Sequence, residues 1–190
     1  MSAMLPARSL GLRALDVARE HIGVRELPGP ANAPQVVAYH YAARRGGSPV
    51  AGILDATGTR LGLDADSYAW CASFASYCLA LAIDGTEDAD RAACPHGYRC
   101  SVAELVADAR ARGTWLSDDG DTLPAPGDLA IWTRAGGDPR RGGTGHVSRV
   151  ESYDQRDGTI VTIGGNEGDE VRRATHRLDE ESLVGWIAYP

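Results

Sequence analysis

The chain has 190 residues, of which 43% are hydrophobic and 24% are charged, and it carries a net charge of −7. These values predict a globular domain large enough to bury a substantial core. Because the acidic excess is spread along the chain without a basic stripe, the composition argues against a nucleic acid or an anionic membrane surface as a partner. No window approaches the ~20 consecutive apolar residues of a membrane span.

The N-terminal part of the chain shows the periodicity of helices. Apolar residues recur at spacings of three and four, which predicts helices at residues 9–22, 36–43, 71–82 and 101–113. Ser101 and Glu104 have the spacing of a capping box, and Gly113 follows as a stop. Residues 46–65 are Gly-rich and aperiodic, so we predict a loop that leads to the third helix.

The C-terminal part has the character of a sheet. Short alternating or apolar runs, separated by turn residues, predict antiparallel strands at residues 128–132, 146–153, 159–163, 171–178 and 183–189. Helices followed by strands predict an α+β fold whose antiparallel sheet packs on the N-terminal helices. We predict a short tail at residues 1–8 and a single domain over residues 9–190.

Cys71 lies at the start of the third predicted helix. It begins an apolar face with Phe74, Ala75, Cys78, Leu79 and Ala82. If Asp66 or Ser67 is the N-cap, Cys71 falls in the first turn, where free backbone N–H groups and the helix dipole lower the pKa of a thiol. Cys78 lies deeper and is interpreted as a core residue. A cysteine on an apolar face is usually packing, so a role for Cys71 depends on its partners.

His146 opens a predicted strand after the Gly-rich residues 141–145, and hairpin geometry provides it with a partner. The turn at residues 154–158 is centred on residue 156, so residue 146 should lie opposite Asn166. Directly paired residues share a face of the sheet, so the Asn166 amide is expected beside the imidazole. Glu151 lies an odd number of residues away and should face the other side, unless a bulge intervenes.

The remaining cysteines leave several interpretations open. Cys94 and Cys100 bracket a short turn-rich loop and could form a disulfide, or remain free thiols in a cytosolic protein. With His96 they could also hold a metal, but the chain has no second ligand pair with zinc-like spacing. We therefore predict no metal and no cofactor.

A cysteine at a helix start, a histidine on a strand and an asparagine on the next strand form the arrangement of papain-like thiol hydrolases. The residues Trp70 to Phe74, Pro126 to Trp132, Gly145-His146-Val147 and Gly164-Gly165-Asn166 resemble CHAP and NlpC-type cell-wall peptidases. The small phage- and prophage-type branch with a Gly-Gly-Asn motif is the most similar. Residues 22–29 are similar to that branch too, which extends the resemblance over about residues 12–190.

The resemblance implies a papain-like fold and cysteine-dependent hydrolysis of peptidoglycan, with Cys71 as nucleophile, His146 as base and Asn166 as the third residue. The backbone N–H of Cys71 is a candidate oxyanion donor. Tyr68 and Trp70 are candidates to line the cleft, although aromatic residues before a buried helix are as often packing. Many CHAP domains have a Glu two residues before the Asn, and here that position is Gly164.

The bond cut and the biological setting stay open at this point. Amidase and endopeptidase activities use the same machinery, and the alternatives are acyl transfer on the same scaffold or an inactive wall-binding module. The N-terminus lacks the apolar core of a secretory signal. We expect synthesis in the cytoplasm and action in the periplasm or cell wall, after phage lysis or delivery by a secretion system as an effector toxin. The second route implies an immunity protein as partner.

Overall fold

A computed structural model describes residues 9–27, 33–44, 69–84, 94–118 and 122–190. This part of the chain forms four α-helices, at Leu10–Glu20 (α1), Pro34–Arg44 (α2), Cys71–Ile83 (α3) and Val102–Arg112 (α4). Six strands follow, at Trp115–Ser117 (β1), Leu129–Thr133 (β2), Gly145–Asp154 (β3), Thr159–Gly164 (β4), Arg172–Arg177 (β5) and Leu183–Ile187 (β6). The α+β prediction is confirmed, and β1 is the strand that sequence periodicity missed. The predicted loop at residues 46–65 and the predicted tail at 1–8 lie outside the described residues.

The strands form one antiparallel sheet in the order β1-β6-β2-β3-β4-β5. β3 is central, and pairs with β2 on one side and with β4 on the other. The hairpin register predicted from the turn centre is found in its inner part, where Arg149 pairs with Ile163 and Val150 with Thr162. Nearer the turn a bulge at Glu151 shifts the pairing by one residue.

Helix α3 joins the helical layer to the sheet. One of its faces packs with α1 and α2 around Phe74, Cys78 and Leu79, and the residues nearest its start pack with α4 against Leu129 and Val147 of the sheet. These contacts remove apolar side chains of α3 from water on several sides, which stabilises the helix far beyond its intrinsic propensity. The start of α3 is thereby fixed at the end of the central strands.

The observed helix starts differ from the predicted caps. The N-cap of α3 is Trp70, so Cys71 is the first residue of the helix, whereas Asp66 and Ser67 lie outside the described residues. The prediction of Asp66 or Ser67 as N-cap was therefore wrong. Ser101 is the N-cap of α4, as predicted, but its side chain makes no capping hydrogen bond. α4 is stabilised instead by burial of its apolar face.

Cys78 is a core residue, and its replacement tests this directly. Its side chain is 1% exposed, and burial raises the pKa of the thiol to about 12. We expect Cys78→Ala to lower the free energy of unfolding by roughly 1 kcal/mol or more, because it leaves a small cavity. Urea unfolding measures this loss. An unchanged midpoint, or a large loss of catalytic turnover with the fold retained, would contradict a packing role.

All four cysteines are free thiols, so the disulfide considered between Cys94 and Cys100 is not formed. His96 is buried, contacts the Gly97 carbonyl and the Tyr189 hydroxyl, and has a pKa lowered to about 4, chiefly by burial. This histidine is thus a neutral packing residue.

Among the residues that the structure describes, no cluster of acidic, His and Cys side chains is suited to a metal ion. No helix in the same part of the chain is long and apolar enough to cross a bilayer.

Candidate active site

Cys71 is held at the junction between α3 and the sheet. Its side chain is 2% exposed and packs in the cluster that includes Val147 of β3. As the first residue of the helix, it lies where backbone N–H groups have no partner within the helix. Cys71 is also one of the residues that line an open cleft. The nucleophile candidate is therefore a buried residue at the edge of the cleft.

The structure brings the Cys71 thiol and the His146 imidazole together, close enough for each group to shift the pKa of the other. Burial raises the pKa of the Cys71 thiol, but the hydrogen bond and charge of His146, a backbone hydrogen bond from Val147 and the charge of Arg134 lower it more. Burial likewise lowers the pKa of His146, but hydrogen bonds to Cys71 and Glu167 outweigh it and raise the pKa to about 9. Together these shifts favour a thiolate–imidazolium pair at neutral pH.

The charge state of Cys71 can be read from its alkylation rate. Because the neighbouring imidazolium stabilises the thiolate, we expect iodoacetamide to modify Cys71 at pH 6 much faster than any of the other three cysteines. Mass spectrometry of the alkylated peptides measures each site separately. Replacing His146 with Ala should raise the pKa of Cys71 to at least the ordinary thiol value of about 8.5, because burial then acts without the imidazolium. Equal rates at all four cysteines would refute the ion pair.

A carboxylate and a hydroxyl contact the far side of the imidazole ring. Nε2 of His146 lies 3.3 Å from Oε1 of Glu167 and 3.1 Å from Oγ of Ser148. The Ser148 hydroxyl also donates to Oε1 of Glu167. Since Nε2 faces these two groups, we infer that Nδ1 is the ring nitrogen available to the Cys71 thiol. The ring is thus held from both sides in one orientation.

Glu167 is ionised although the residue is buried, with only 8% of its surface exposed. Burial raises its pKa, but hydrogen bonds from His146 and Ser148 and the charge of His146 lower the pKa further, to below its ordinary value. Its other oxygen, Oε2, lies 3.9 Å from Nε of Arg172. Glu167 is therefore a negative charge placed against the imidazolium, and stabilises its protonated form.

The expected pairing of Asn166 with His146 was wrong. β4 ends at Gly164, so the ladder does not extend to residue 166, and Asn166 takes a left-handed backbone with φ of 58°. Among the described residues, the hydrogen-bond partners of the His146 ring are Cys71, Ser148 and Glu167, and not Asn166. Glu151 faces away, as predicted, and forms ion pairs with Arg19 and Arg173.

The left-handed residues form the tight loop that carries Glu167. Asn166, Gly168 and Asp169 all have positive φ, and the Glu167 N–H donates to the Glu170 carbonyl. Asparagine tolerates this conformation better than most residues. The loop is anchored to the N-terminal segment, where the Glu26 N–H donates to the Asp169 carbonyl. Asn166 thus contributes to the site through its backbone, by turning the chain toward His146.

Of the two aromatic residues expected to line the cleft, Trp70 and Tyr68, the structure describes only Trp70. Trp70 is fully buried, packs against the Tyr39 ring in a tilted arrangement, and donates its Nε1–H to Glu26 at 2.8 Å. It anchors the start of α3 and does not line the cleft. Tyr68 lies outside the described residues.

A cleft of about 470 Å³ opens at Cys71. On the helical side it is lined by Ala69, Cys71 and residues 100–102, and on the opposite side by Arg134, Ala135 and residues 142–145. The second wall belongs to the Arg- and Gly-rich segment between β2 and β3. A substrate chain lying in this cleft would pass directly over the thiol.

The family model of the CHAP domain matches residues 63–166, more than half of the chain. The chain belongs to the CHAP domain family. CHAP domains are typically peptidoglycan hydrolases with amidase or endopeptidase activity. No curated protein matches the chain.

Among solved structures, the crystal structure of Ly7917 is similar to this chain, with a TM-score of 0.44 and 13% sequence identity. The similarity covers 95% of this chain and 62% of the other, so the chain spans less than two thirds of that structure. A likeness this distant carries no information about function.

Gly164, at the position where the family resemblance implied a Glu, has a steric reason to be glycine in this chain. A Cβ on Gly164 would lie 2.9 Å from Cβ of Ser148 and would also collide with the Ser148 hydroxyl and the Glu167 carboxylate. A Cβ on Gly165 would lie 2.6 Å from the Trp70 ring and 2.7 Å from Cβ of Phe74. The first glycine therefore makes room for Glu167, and the second lets the end of β4 approach the start of α3.

Sequence reasoning missed Ser148 and Glu167, although weak signals for both were present. Ser148 lies two residues after His146, and this spacing places the two side chains on the same face of a strand. Glu167 directly follows Gly164-Gly165-Asn166, and the glycine at the usual position of the acid indicates that the carboxylate comes from elsewhere. The loop conformation that connects these two clues is set by φ angles that strand periodicity does not predict.

Proposed function

We propose that the protein is a cysteine-dependent peptidoglycan hydrolase that cuts an amide bond in the peptide stem or cross-link. Membership of the CHAP domain family supports the substrate class and the type of reaction. The cysteine mechanism is supported by one observation above all: Cys71, which lines the cleft, lies beside His146, with pKa shifts that favour the ion pair. Glu167 and Ser148 complete the site.

The reaction begins with attack of the Cys71 thiolate on the carbonyl carbon of the amide. The carbonyl oxygen becomes an oxyanion, which the free backbone N–H of Cys71 at the start of α3 stabilises. His146 then gives its proton to the leaving nitrogen, the C–N bond breaks, and a thioester to Cys71 remains. Water attacks the thioester while His146 accepts its proton. The C–S bond then breaks, the acid product leaves, and the thiolate–imidazolium pair is regenerated.

Glu167 and Ser148 act through His146. Their contacts with Nε2 fix the ring plane, so that Nδ1 faces the thiol throughout the cycle. The carboxylate also compensates the positive charge that the ring carries while the thiolate is present. This is the logic of the papain-like triad, with a carboxylate in the place of an amide.

We further propose that the enzyme meets its substrate in the periplasm or cell wall. The Gly164-Gly165-Asn166 sequence supports a relation to the phage- and prophage-type branch, and hence action after phage lysis. Delivery into a rival cell by a secretion system is the other route, and it would involve an immunity protein as partner.

Digestion of purified sacculi tests the proposed function. The products are separated and identified by mass spectrometry of the released muropeptides. An endopeptidase would convert cross-linked dimers to monomers, and an amidase would release peptides from the glycan strands. Formation of a new amide or ester to an added acceptor, without free acid, would indicate acyl transfer. No change in the sacculi at any pH between 5 and 9 would contradict the proposal.

A further inference from the structure

The segment between β2 and β3 forms the wall of the cleft opposite α3. It contains Arg134, Arg140 and Arg141, and it enters β3 directly before His146. A cation on this wall would face a substrate that lies over Cys71. The function of each arginine therefore depends on whether it lines the cleft and on whether an acidic side chain neutralises its charge.

The backbone that carries Arg134 is fixed by local hydrogen bonds. The Gly137 N–H donates to the Arg134 carbonyl at 2.9 Å, and the Thr144 hydroxyl donates to the same oxygen. Ala135 and Gly136 between them have φ of 50° and 76°, which is the pattern of a tight hairpin turn. A non-glycine residue in this conformation is strained, and such strain is concentrated at functional sites. Arg134 is thus presented from a defined turn.

The other two arginines of the segment are oriented toward an acid of the segment itself. Asp138 accepts hydrogen bonds from Nε and Nη2 of Arg140, and the Arg140 carbonyl accepts from Arg110 of α4. Nε of Arg141 lies 3.9 Å from Asp138, and its side chain is 87% exposed. Arg134 lines the cleft with Cys71, and within the described ranges of the chain its guanidinium has no acidic partner.

We propose that Arg134 is a specificity-determining residue that binds a free carboxylate of the substrate peptide next to the scissile amide. This inference rests on the proposed function for its substrate, since peptidoglycan stems are peptides with free carboxyl groups. A guanidinium matches a carboxylate with two parallel N–H···O bonds, which gives directional as well as electrostatic recognition. The chain has 26 acidic residues and a net charge of −7. Even so, none of the acids in the described part of the chain pairs with Arg134, which lines the cleft together with Cys71.

Arg134 could instead act only on the thiol, because its charge helps to lower the pKa of Cys71. The two roles predict different results. An effect on the thiolate changes every reaction of Cys71 by the same factor, whatever the charge of the other reactant. A carboxylate site changes the reactions of anionic reactants more than those of neutral ones.

A pair of alkylating reagents separates these roles without any peptidoglycan. Iodoacetate and iodoacetamide have nearly the same shape and attack the same thiolate, but the first carries a carboxylate. We expect Arg134→Gln to lower the ratio of the iodoacetate rate to the iodoacetamide rate at Cys71 by roughly tenfold, in line with the strength of a charged hydrogen bond. Arg141→Gln, with the same change of charge in the same segment, is the matched control and should leave the ratio within twofold.

Peptide substrates then test specificity. For peptides with a free carboxylate beside the scissile amide, Arg134→Gln should reduce kcat/KM by roughly tenfold or more, and Arg134→Lys should recover part of the loss. The matching carboxamide peptides should be affected less than threefold. Equal losses for both peptides, with an unchanged reagent ratio, would overturn the proposal. If wild-type protein cleaves neither peptide but the reagent ratio still falls in Arg134→Gln, the proposed function fails and the carboxylate site stands.

Discussion

Replacement of Cys71 by alanine should abolish hydrolysis of sacculi, with a loss of about four orders of magnitude or more in turnover. Without the thiolate no thioester can form, and the remaining groups of the site only position water and substrate. The change removes a single sulfur atom at the wall of the cleft, so the protein should remain folded. Turnover on sacculi and circular dichroism, measured on the same preparation, check both parts.

The matched control for Cys71 is Cys78, two turns further along α3. Cys78→Ala removes the same atom from the same helix and should retain turnover within about twofold, because Cys78 packs in the core away from the cleft. Hydrolysis that survives in Cys71→Ala would refute the cysteine mechanism. Equal loss of turnover in both variants would indicate a general effect on α3 instead.

Replacement of Glu167 by glutamine is expected to reduce turnover by about one to three orders of magnitude and to shift the pH profile. Glu167 is one of the groups that raise the pKa of His146 to about 9. A neutral amide no longer stabilises the imidazolium, so the pKa of His146 falls. The alkaline limb of kcat/KM, where the imidazolium loses its proton, should therefore move to lower pH. Initial rates between pH 5 and 10 measure this displacement.

Asn166 provides the contrasting variant. Its contribution lies in the left-handed backbone, which glycine adopts at least as readily. Asn166→Gly should therefore keep turnover within a few-fold and leave the alkaline limb in place. If Asn166→Gly instead loses as much turnover as Glu167→Gln, and its alkaline limb moves in the same direction, then the Asn166 amide orients the His146 ring.

Periodicity was sufficient to predict most of the architecture. Apolar residues of α3 recur with the spacing of one helical face, and the strands from β2 onward alternate or are bounded by turn residues. The turn centre even predicted the pairing of Arg149 with Ile163. Cys71 and His146 could be selected because a helix start and a strand start are recognisable from local pattern alone.

The third residue of the site could not be predicted in the same way. Strand register extrapolates only while the ladder continues, and β4 ends two residues before Asn166. Beyond Gly164 the chain direction depends on positive φ angles at Asn166, Gly168 and Asp169, and on hydrogen bonds to residues 23–26 far away in sequence. The placement of Arg134 on the cleft wall depends likewise on a turn whose first central residue is alanine and gives no sign of a left-handed conformation.

The close contact at Gly164 has a consequence for how this site could change over evolution. The space above Gly164 admits one acidic side chain: either Glu167 folds in from the loop, or a glutamate at position 164 projects up from the strand. The two locations are mutually exclusive, so an acid gained at 164 must be accompanied by loss or withdrawal of the acid at 167. A single substitution in either direction would pass through a form with two crowded carboxylates or with none. A change in the position of the acidic residue from 167 to 164, or the reverse, therefore requires two linked substitutions. The residue type at one position then predicts the residue type at the other.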